Sequence, residues 1–311
     1  MLSPRRALRR RLKRVSFALF LLLDRLGIHL LPKHYSAPVA DRAWLRKNPS
    51  LWQRPAPLAG IDWNLDDQIA WLDGIAGPYY DEVAGLSRYS ELVSDALGPG
   101  YGPVESQVLH CFVRAAAPDR VVEVGGGVST AIIASAAGMN AEEGRSLTKI
   151  VTVEPFPAPA LASMPGVELV REPAQAVEPA LFGKLRQGDL LFIDSTHTVK
   201  TGSELMRLYL EIVPALPAGI VIHVHDIYLP YLYAPDVLSS YLDWHETSLL
   251  LALLTGNERL RVLCCLSALH HDRPDSLRRV LTDYRPRPDR RGLAEEHAQG
   301  HFPSSLWLET A

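Results

Sequence analysis

From residue 120 onward the chain alternates short runs in which nearly every position is apolar with longer stretches whose apolar residues recur every three or four positions. The short runs read as seven strands: RVVEV (120–124), KIVTVE (149–154), VELV (167–170), DLLFID (189–194), GIVIHVHD (219–226), RLRVLCCL (259–266) and SSLWLE (304–309). Helical spacing fills most of the gaps, notably from Ser129 to Gly138, Lys200 to Val213 and Thr247 to Thr255. Strands without a polar face need cover on both sides, so the alternation predicts an α/β fold with a mainly parallel sheet between helices. In such a sheet ligands collect outside the carboxyl ends of the strands, which is where chemistry is to be sought.

Upstream of this region the pattern changes twice. Residues 1–31 open with a basic stretch that leads into the run Val15 to Leu23, and residues 32–98 form an irregular helical extension or lid. In the extension Trp44, Trp52, Trp63 and Trp71 are spaced among short helical patterns, and LDDQIAWLDGI places Leu65, Ile69, Leu72 and Ile75 on one helical face. These tryptophans are expected to pack on the main domain or to line part of a substrate pocket. The breaker cluster GPGYGP at 98–103 marks the boundary to a main domain over residues 99–311.

Composition narrows the class. In 311 residues, 47% are apolar and 22% charged, which excludes fibrous and globally disordered chains. Cys111, Cys264 and Cys265 form no C-x-x-C pair, so neither a disulfide framework nor a cysteine-ligated zinc site is expected, and a reducing compartment suits them. The net charge of -3 conceals seven cations and no acid within residues 1–14, against 25 basic and 35 acidic residues in the remainder. An acidic body argues against nucleic acid as a partner, while the basic start suits an anionic surface. The start resembles a signal peptide, but DRLGIHLLP continues without a small-residue cleavage site, and Asp24, Arg25 and His29 interrupt any spanning stretch. Two readings stay open: a helix lying at the cytoplasmic face of a membrane, or a helix packed on its own protein.

Candidate chemistry sits at the strand ends. The first strand runs into VVEVGGGVST, where Gly125 and Gly127 let backbone approach a ligand and the amides from Val128 to Thr130 open a helix that favours an anionic group. Thr130 stands where a dinucleotide fingerprint needs its third glycine. Glu154 ends the second strand, where an acid can accept from both hydroxyls of a ribose, and 27 residues separate it from Gly127, more than a dinucleotide fold requires. The fourth strand runs into IDSTHTVK and the fifth into IHVHDIY, which sets Asp194, His197 and Asp226 beside the glycine turn. Two carboxylates suit Mg²⁺ or Mn²⁺ and a histidine suits general-base work, although acids at strand ends also cap helices. His223 and His225 share one strand face and read as core or supporting residues.

Taken in order, VVEVGGGVST, TVEP, GDLLFIDSTHTVKTGSEL, LPAGIVIHVHDIYLPYLY, WHETSLLLALLTGN and SSLWLE resemble the class I S-adenosylmethionine-dependent methyltransferases, in particular the bacterial subgroup gathered as methyltransferase domain 24. The resemblance covers about residues 99–311 and implies a Rossmann-like sheet of order 3-2-1-4-5-7-6 with the last strand antiparallel. It implies S-adenosylmethionine held by Glu123, Gly125, Gly127 and Ser129, with Glu154 on the ribose and Gln175 beside the adenine. It further implies Asp194 and Asp226 as ligands of Mg²⁺ or Mn²⁺, and His197 with Asp194 as the catalytic pair that removes a hydroxyl proton. Ile227 follows Asp226 where several metal-dependent relatives place a third ligand. The expected activity is O-methylation of a glycan, glycolipid or related metabolite. A nicotinamide-dependent oxidoreductase and a catalytically silent, membrane-tethered cofactor-binding scaffold are the alternatives.

Overall fold

The computed structural model describes residues 4–31, 33–34, 36–93, 97 and 100–311, with side chains from residue 14 onward. The chain forms two compact units, residues 1–52 and 53–311. The first two residues of the expected boundary cluster, Gly98 and Pro99, lie outside the described residues. In the first unit, a helix spans Pro4–Asp24, and a short helix, Arg42–Lys47, is capped by Asp41, whose carboxylate accepts from the amides of Ala43 and Trp44.

The second unit is built on a seven-stranded sheet. Numbering only its strands, these are β1 (Arg120–Val124), β2 (Lys149–Val153), β3 (Val167–Val170), β4 (Leu190–Ile193), β5 (Val221–His225), β6 (Leu260–Cys265) and β7 (Ser305–Thr310). Their order is β3-β2-β1-β4-β5-β7-β6. β1 to β5 run parallel, while β7 inserts antiparallel between β5 and β6. This is the expected order with its reversed last strand. Each strand lies within two residues of its predicted bounds, because a run without polar interruption can only be buried from both sides.

The two-residue period divides each strand between two cores. On one face Val121, Leu190, Phe192 and Val221 join the helices Leu65–Ala76, Pro103–Ala116 and Val128–Glu142; on the other Val122, Leu191, Ile193 and Val224 join Tyr209 and Leu250. The tryptophan-rich extension therefore contributes Leu72, Ala76 and Tyr80 to the first core, and Trp71 packs on Trp307 at 5.6 Å between ring centres. One helix boundary differs from the sequence reading: the helix expected from Lys200 begins at Glu204. Gly202, at φ 75°, sits in a turn in which the Ser203 amide donates to the Lys200 carbonyl, and helix starts only beyond it.

Candidate active site at the strand ends

The glycine turn after β1 is built by contacts that its residue types alone allow. Gly125 has φ 86°, and a Cβ placed on it would lie 1.6 Å from the carbonyl oxygen of Asp194, so backbone meets backbone there. Gly127 is different: a Cβ on it would meet only the Leu97 carbonyl at 3.4 Å, which leaves open space before the start of the following helix. Glu154 reaches this turn, accepting from the Gly126 amide at 3.3 Å and from the Phe156 amide at 2.7 Å. A cradle that is open at Gly127 and edged by a half-buried carboxylate fits a nucleoside with a polar tail.

Glu123 and Ser129, expected among the cofactor-binding residues, point inward. The Glu123 carboxylate is fully buried and accepts from the hydroxyls of Ser129 at 2.7 Å, Thr130 at 2.6 Å and Thr152 at 2.7 Å. They tie the end of β1 to the next helix and to β2, so their side chains shape the cradle from beneath. Gln175 is exposed in the loop after β3, its carbonyl taken by Arg207. Burial pushes the Glu123 carboxyl up to about 7, partly opposed by the three hydroxyls. Because this lies above the ordinary 4.5, the folded state holds the proton more tightly, and stability falls as pH rises from about 4.5 through 7. Glu123→Gln is expected to flatten that part of the stability profile, read as chemical denaturation midpoints between pH 4 and 8; an unchanged slope would show that the carboxylate is better solvated than its burial implies.

Next to the cradle, the structure brings Asp194, His197 and Asp226 together, as the sequence implied, and adds His225 and Glu246. His197 Nδ1 lies 2.7 Å from Glu246 Oε2, and the other Glu246 oxygen accepts from the Tyr209 hydroxyl. A carboxylate only accepts, so Nδ1 carries the proton and Nε2 is the nitrogen turned to the site. There it stands 3.3 Å from Asp194 Oδ1 and 3.6 Å from Asp226 Oδ2. His225 Nδ1 faces the same two oxygens at 3.3 and 3.7 Å. Asp226 is held by hydroxyls of Tyr228 at 2.9 Å and Ser304 at 2.8 Å. His197 and Asp226 both have φ 55°, a left-handed conformation that costs a non-glycine residue energy and is common where a side chain must be aimed.

Charge is concentrated in this cluster. Burial works to raise the Asp194 carboxyl, but His225 and His197 overcome it and hold it well below the usual carboxylate range. Burial works to lower both imidazoles; Asp194 and Glu246 hold His197 well above its ordinary value, and Asp226 with Asp194 brings His225 up to about 9. His223, one pleat back on the same face and wholly buried, is driven the opposite way by burial. It stacks with Phe192 and lies 3.2 Å from the Tyr101 hydroxyl, a core role as the sequence implied.

The donor set also suits a cation. The contacts of 3.3 to 3.7 Å exceed the roughly 2.7–2.9 Å of a charge-assisted hydrogen bond. An ion bound at about 2.1 Å spaces neighbouring donors by about 3.0–3.4 Å, close to what is seen. The buried His225 Nδ1 has no hydrogen-bond partner, so a lone pair or proton there awaits one. Asp194, His197 and His225 each offer a donor atom within 4.8 Å of the others. Sequence reasoning missed Glu246, whose only signal was an acid in the first turn of a helix, and assigned His225 to the supporting core.

Residues 122–227, a third of the chain, match the family model described as a methyltransferase domain. No curated protein matches the sequence. Among solved structures, similarity extends to the S-adenosylhomocysteine-bound methyltransferase PaMTH1 of Podospora anserina, at 16% identity and a TM-score of 0.35 over 76% of this chain and 93% of that one. It extends also to MycE, a methyltransferase of mycinamycin biosynthesis solved with Mg, S-adenosylhomocysteine and mycinamycin VI, at 15% identity and 0.36 over 71% and 54%. The matched segment runs from β1 to the residue after Asp226 and so takes in the glycine turn and the strand-end residues Asp194, His197 and Asp226.

Proposed function

We propose that this chain, which carries a class I methyltransferase domain, transfers a methyl group from S-adenosylmethionine to a hydroxyl of a glycan, glycolipid or related metabolite. The observation that carries the reading is His197: its Nδ1 is fixed by Glu246, and its Nε2 faces two carboxylates beside an open glycine cradle. When bound, S-adenosylmethionine supplies a methyl on a positively charged sulfur, already electrophilic. The turn at Gly127 and the Glu154 carboxylate bind and orient it. Once the ring is neutral, which its carboxylate neighbours delay to a higher pH than in a free imidazole, His197 Nε2 takes the proton of the acceptor hydroxyl, and Glu246 holds the ring in the tautomer that can do so. Asp194 and Asp226, joined by His225, would hold a divalent ion such as Mg²⁺ or Mn²⁺, which would make an alcohol more acidic. Trp244, half-buried with its ring centre 4.7 Å from that of His197, offers an aromatic face to the apolar side of a sugar ring.

Calorimetry with S-adenosylhomocysteine and NAD, followed by transfer of labelled methyl to free and lipid-linked glycans, tests this reading. Binding of S-adenosylhomocysteine but not NAD is expected, with turnover that stops in EDTA and returns with Mg²⁺ or Mn²⁺. NAD binding without a response to S-adenosylhomocysteine would overturn the methyltransferase reading; full activity in EDTA would leave the carboxylates as orienting groups alone.

We infer further that residues 1–31 hold the protein at the cytoplasmic face of a membrane. Val15, Phe17, Leu19 and Leu22 are exposed on the helix Pro4–Asp24, and among the described residues no helix is long and apolar enough to cross a bilayer. Of the seven cations within residues 1–14, the side chain of Arg14 is described and those of the six up to Lys13 are not. In sequence, each adds about 1 kcal/mol of attraction to an anionic leaflet, screened by salt. Deleting residues 1–31 is expected to abolish co-sedimentation with anionic vesicles at low salt and to leave the melting temperature nearly unchanged. A deletion that unfolds the protein, or an intact chain that ignores vesicles, would instead favour a helix that serves folding.

A further inference from the structure

A second group of metal-type side chains lies outside the site just described. His270 and His271 close the helix Leu266–Asp272, and Asp289 stands on a two-residue strand paired with Leu293–Ala294. His270 Nε2 lies 3.2 Å and His271 Nδ1 3.5 Å from the same Asp289 oxygen, Oδ2, and the three donor atoms fall within 4.8 Å of one another. All three are largely buried: the side chains of His270, His271 and Asp289 are 2%, 11% and 14% exposed. We propose that His270, His271 and Asp289 bind a divalent transition ion of the zinc type, which clamps the loop from Thr282 to Pro303 to this helix.

Two imidazoles converging on one carboxylate oxygen admit a simpler account, an ion pair made of hydrogen bonds. His270 Nε2 is within hydrogen-bond reach of Asp289 Oδ2 at 3.2 Å, while His271 Nδ1 at 3.5 Å makes no hydrogen bond to it, and both contacts are long for such a pair. A buried charge-assisted pair closes to about 2.7–2.9 Å, whereas donors around a tetrahedral ion bound at 2.0–2.1 Å stand about 3.3–3.4 Å apart. The outer contacts are also those of held ligands. His270 Nδ1 is 2.6 Å from the Tyr284 hydroxyl, and Asp289 Oδ1 accepts from the Gly292 amide at 2.8 Å, so the second polar atom of these two ligands is fixed by a neighbour. His271 Nε2 is buried without a partner, which leaves Nδ1 as the atom through which that ring is engaged. Two nitrogens and one carboxylate select zinc-like ions over Mg²⁺ or Ca²⁺, and three protein donors leave one position for water. The clamp has a consequence for the first site. Phe302 packs on His270 at 4.5 Å and on Tyr228 at 6.4 Å between ring centres, and Ser304, two residues on, donates to Asp226.

The test uses the full chain carrying His225→Ala, so that the first site lacks a donor. Metal-free protein is titrated with Zn²⁺ while melting temperature is followed, and with Co²⁺ while visible absorption is followed. One equivalent is expected to bind, with the intense bands of four-coordinate Co²⁺, and a hundredfold excess of Zn²⁺ over Kd raises the melting temperature by about 5–10 °C. Adding Asp289→Asn or His271→Gln should remove both the equivalent and the shift while the metal-free melting temperature changes little. His271→Gln, which leaves the Asp289 carboxylate and its bond from the Gly292 amide in place, keeps the experiment decisive where Asp289→Asn fails to fold. No shift and no bands in the parent, or binding that survives His271→Gln unchanged, overturns the proposal.

Discussion

Replacing His197 by alanine is expected to lower turnover by roughly 10²- to 10⁴-fold while affinity for S-adenosylhomocysteine stays nearly constant. The separation follows from geometry, since the cofactor cradle is made by the turn at Gly127 and by Glu154, neither of which touches the imidazole. Alanine also removes a residue at φ 55°, a conformation that asparagine tolerates better. His197→Asn therefore keeps the backbone preference and loses only the base; equal losses in both variants assign the effect to the ring. Glu246→Gln keeps the shape and a hydrogen-bonding carbonyl but weakens the hold on the His197 tautomer, and a smaller loss, about tenfold, is expected there. Single-turnover transfer of labelled methyl measures all three. Wild-type turnover in His197→Asn would transfer the base role elsewhere and leave this histidine as a structural link between Glu246 and the carboxylates.

The strands were legible because burial on both faces leaves an unbroken apolar run, and Asp194 and Asp226 were legible because they stop such runs. His197 followed from its three-residue distance to Asp194. Glu246 was not legible: 49 residues separate it from His197, and an acid at the start of a helix is ordinarily a solvated partner of the helix dipole. His223 and His225 show a subtler limit. The period of two places both on one face, and it is silent on depth. β5 ends at His225, so that ring reaches the carboxylates while His223 stays beneath it against Trp307 and Phe192. Glu123 and Ser129 show another limit of the motif. The motif names the positions and is silent on direction, and three hydroxyls around one buried carboxylate turn both side chains inward.

The two glycines of the turn, equivalent by sequence as makers of room for a ligand, are expected to fail differently. At Gly125 the obstacle is the protein itself: φ is positive, and even a methyl would press on the Asp194 carbonyl, forcing apart the ends of β1 and β4. Nothing flexible stands there to yield, since the Asp194 amide is itself bonded to the Val124 carbonyl at 2.8 Å. Gly125→Ala should therefore cost several kcal/mol and lose most soluble, folded protein, whether or not cofactor is present. At Gly127 φ is 177°, outside the left-handed region, and a Cβ meets one carbonyl oxygen at ordinary contact distance. Gly127→Val should fold with a melting temperature within a few degrees of the parent. Its branched side chain fills the opening that the ligand needs, so affinity for S-adenosylhomocysteine should drop by at least about 100-fold, some 3 kcal/mol. Thermal melts with and without S-adenosylhomocysteine read both effects in one experiment, because only a folded protein with an open cradle is stabilised by the ligand. A Gly127→Val protein that keeps its ligand-induced shift would move the cofactor away from this turn, and with it the site from which His197 is proposed to act.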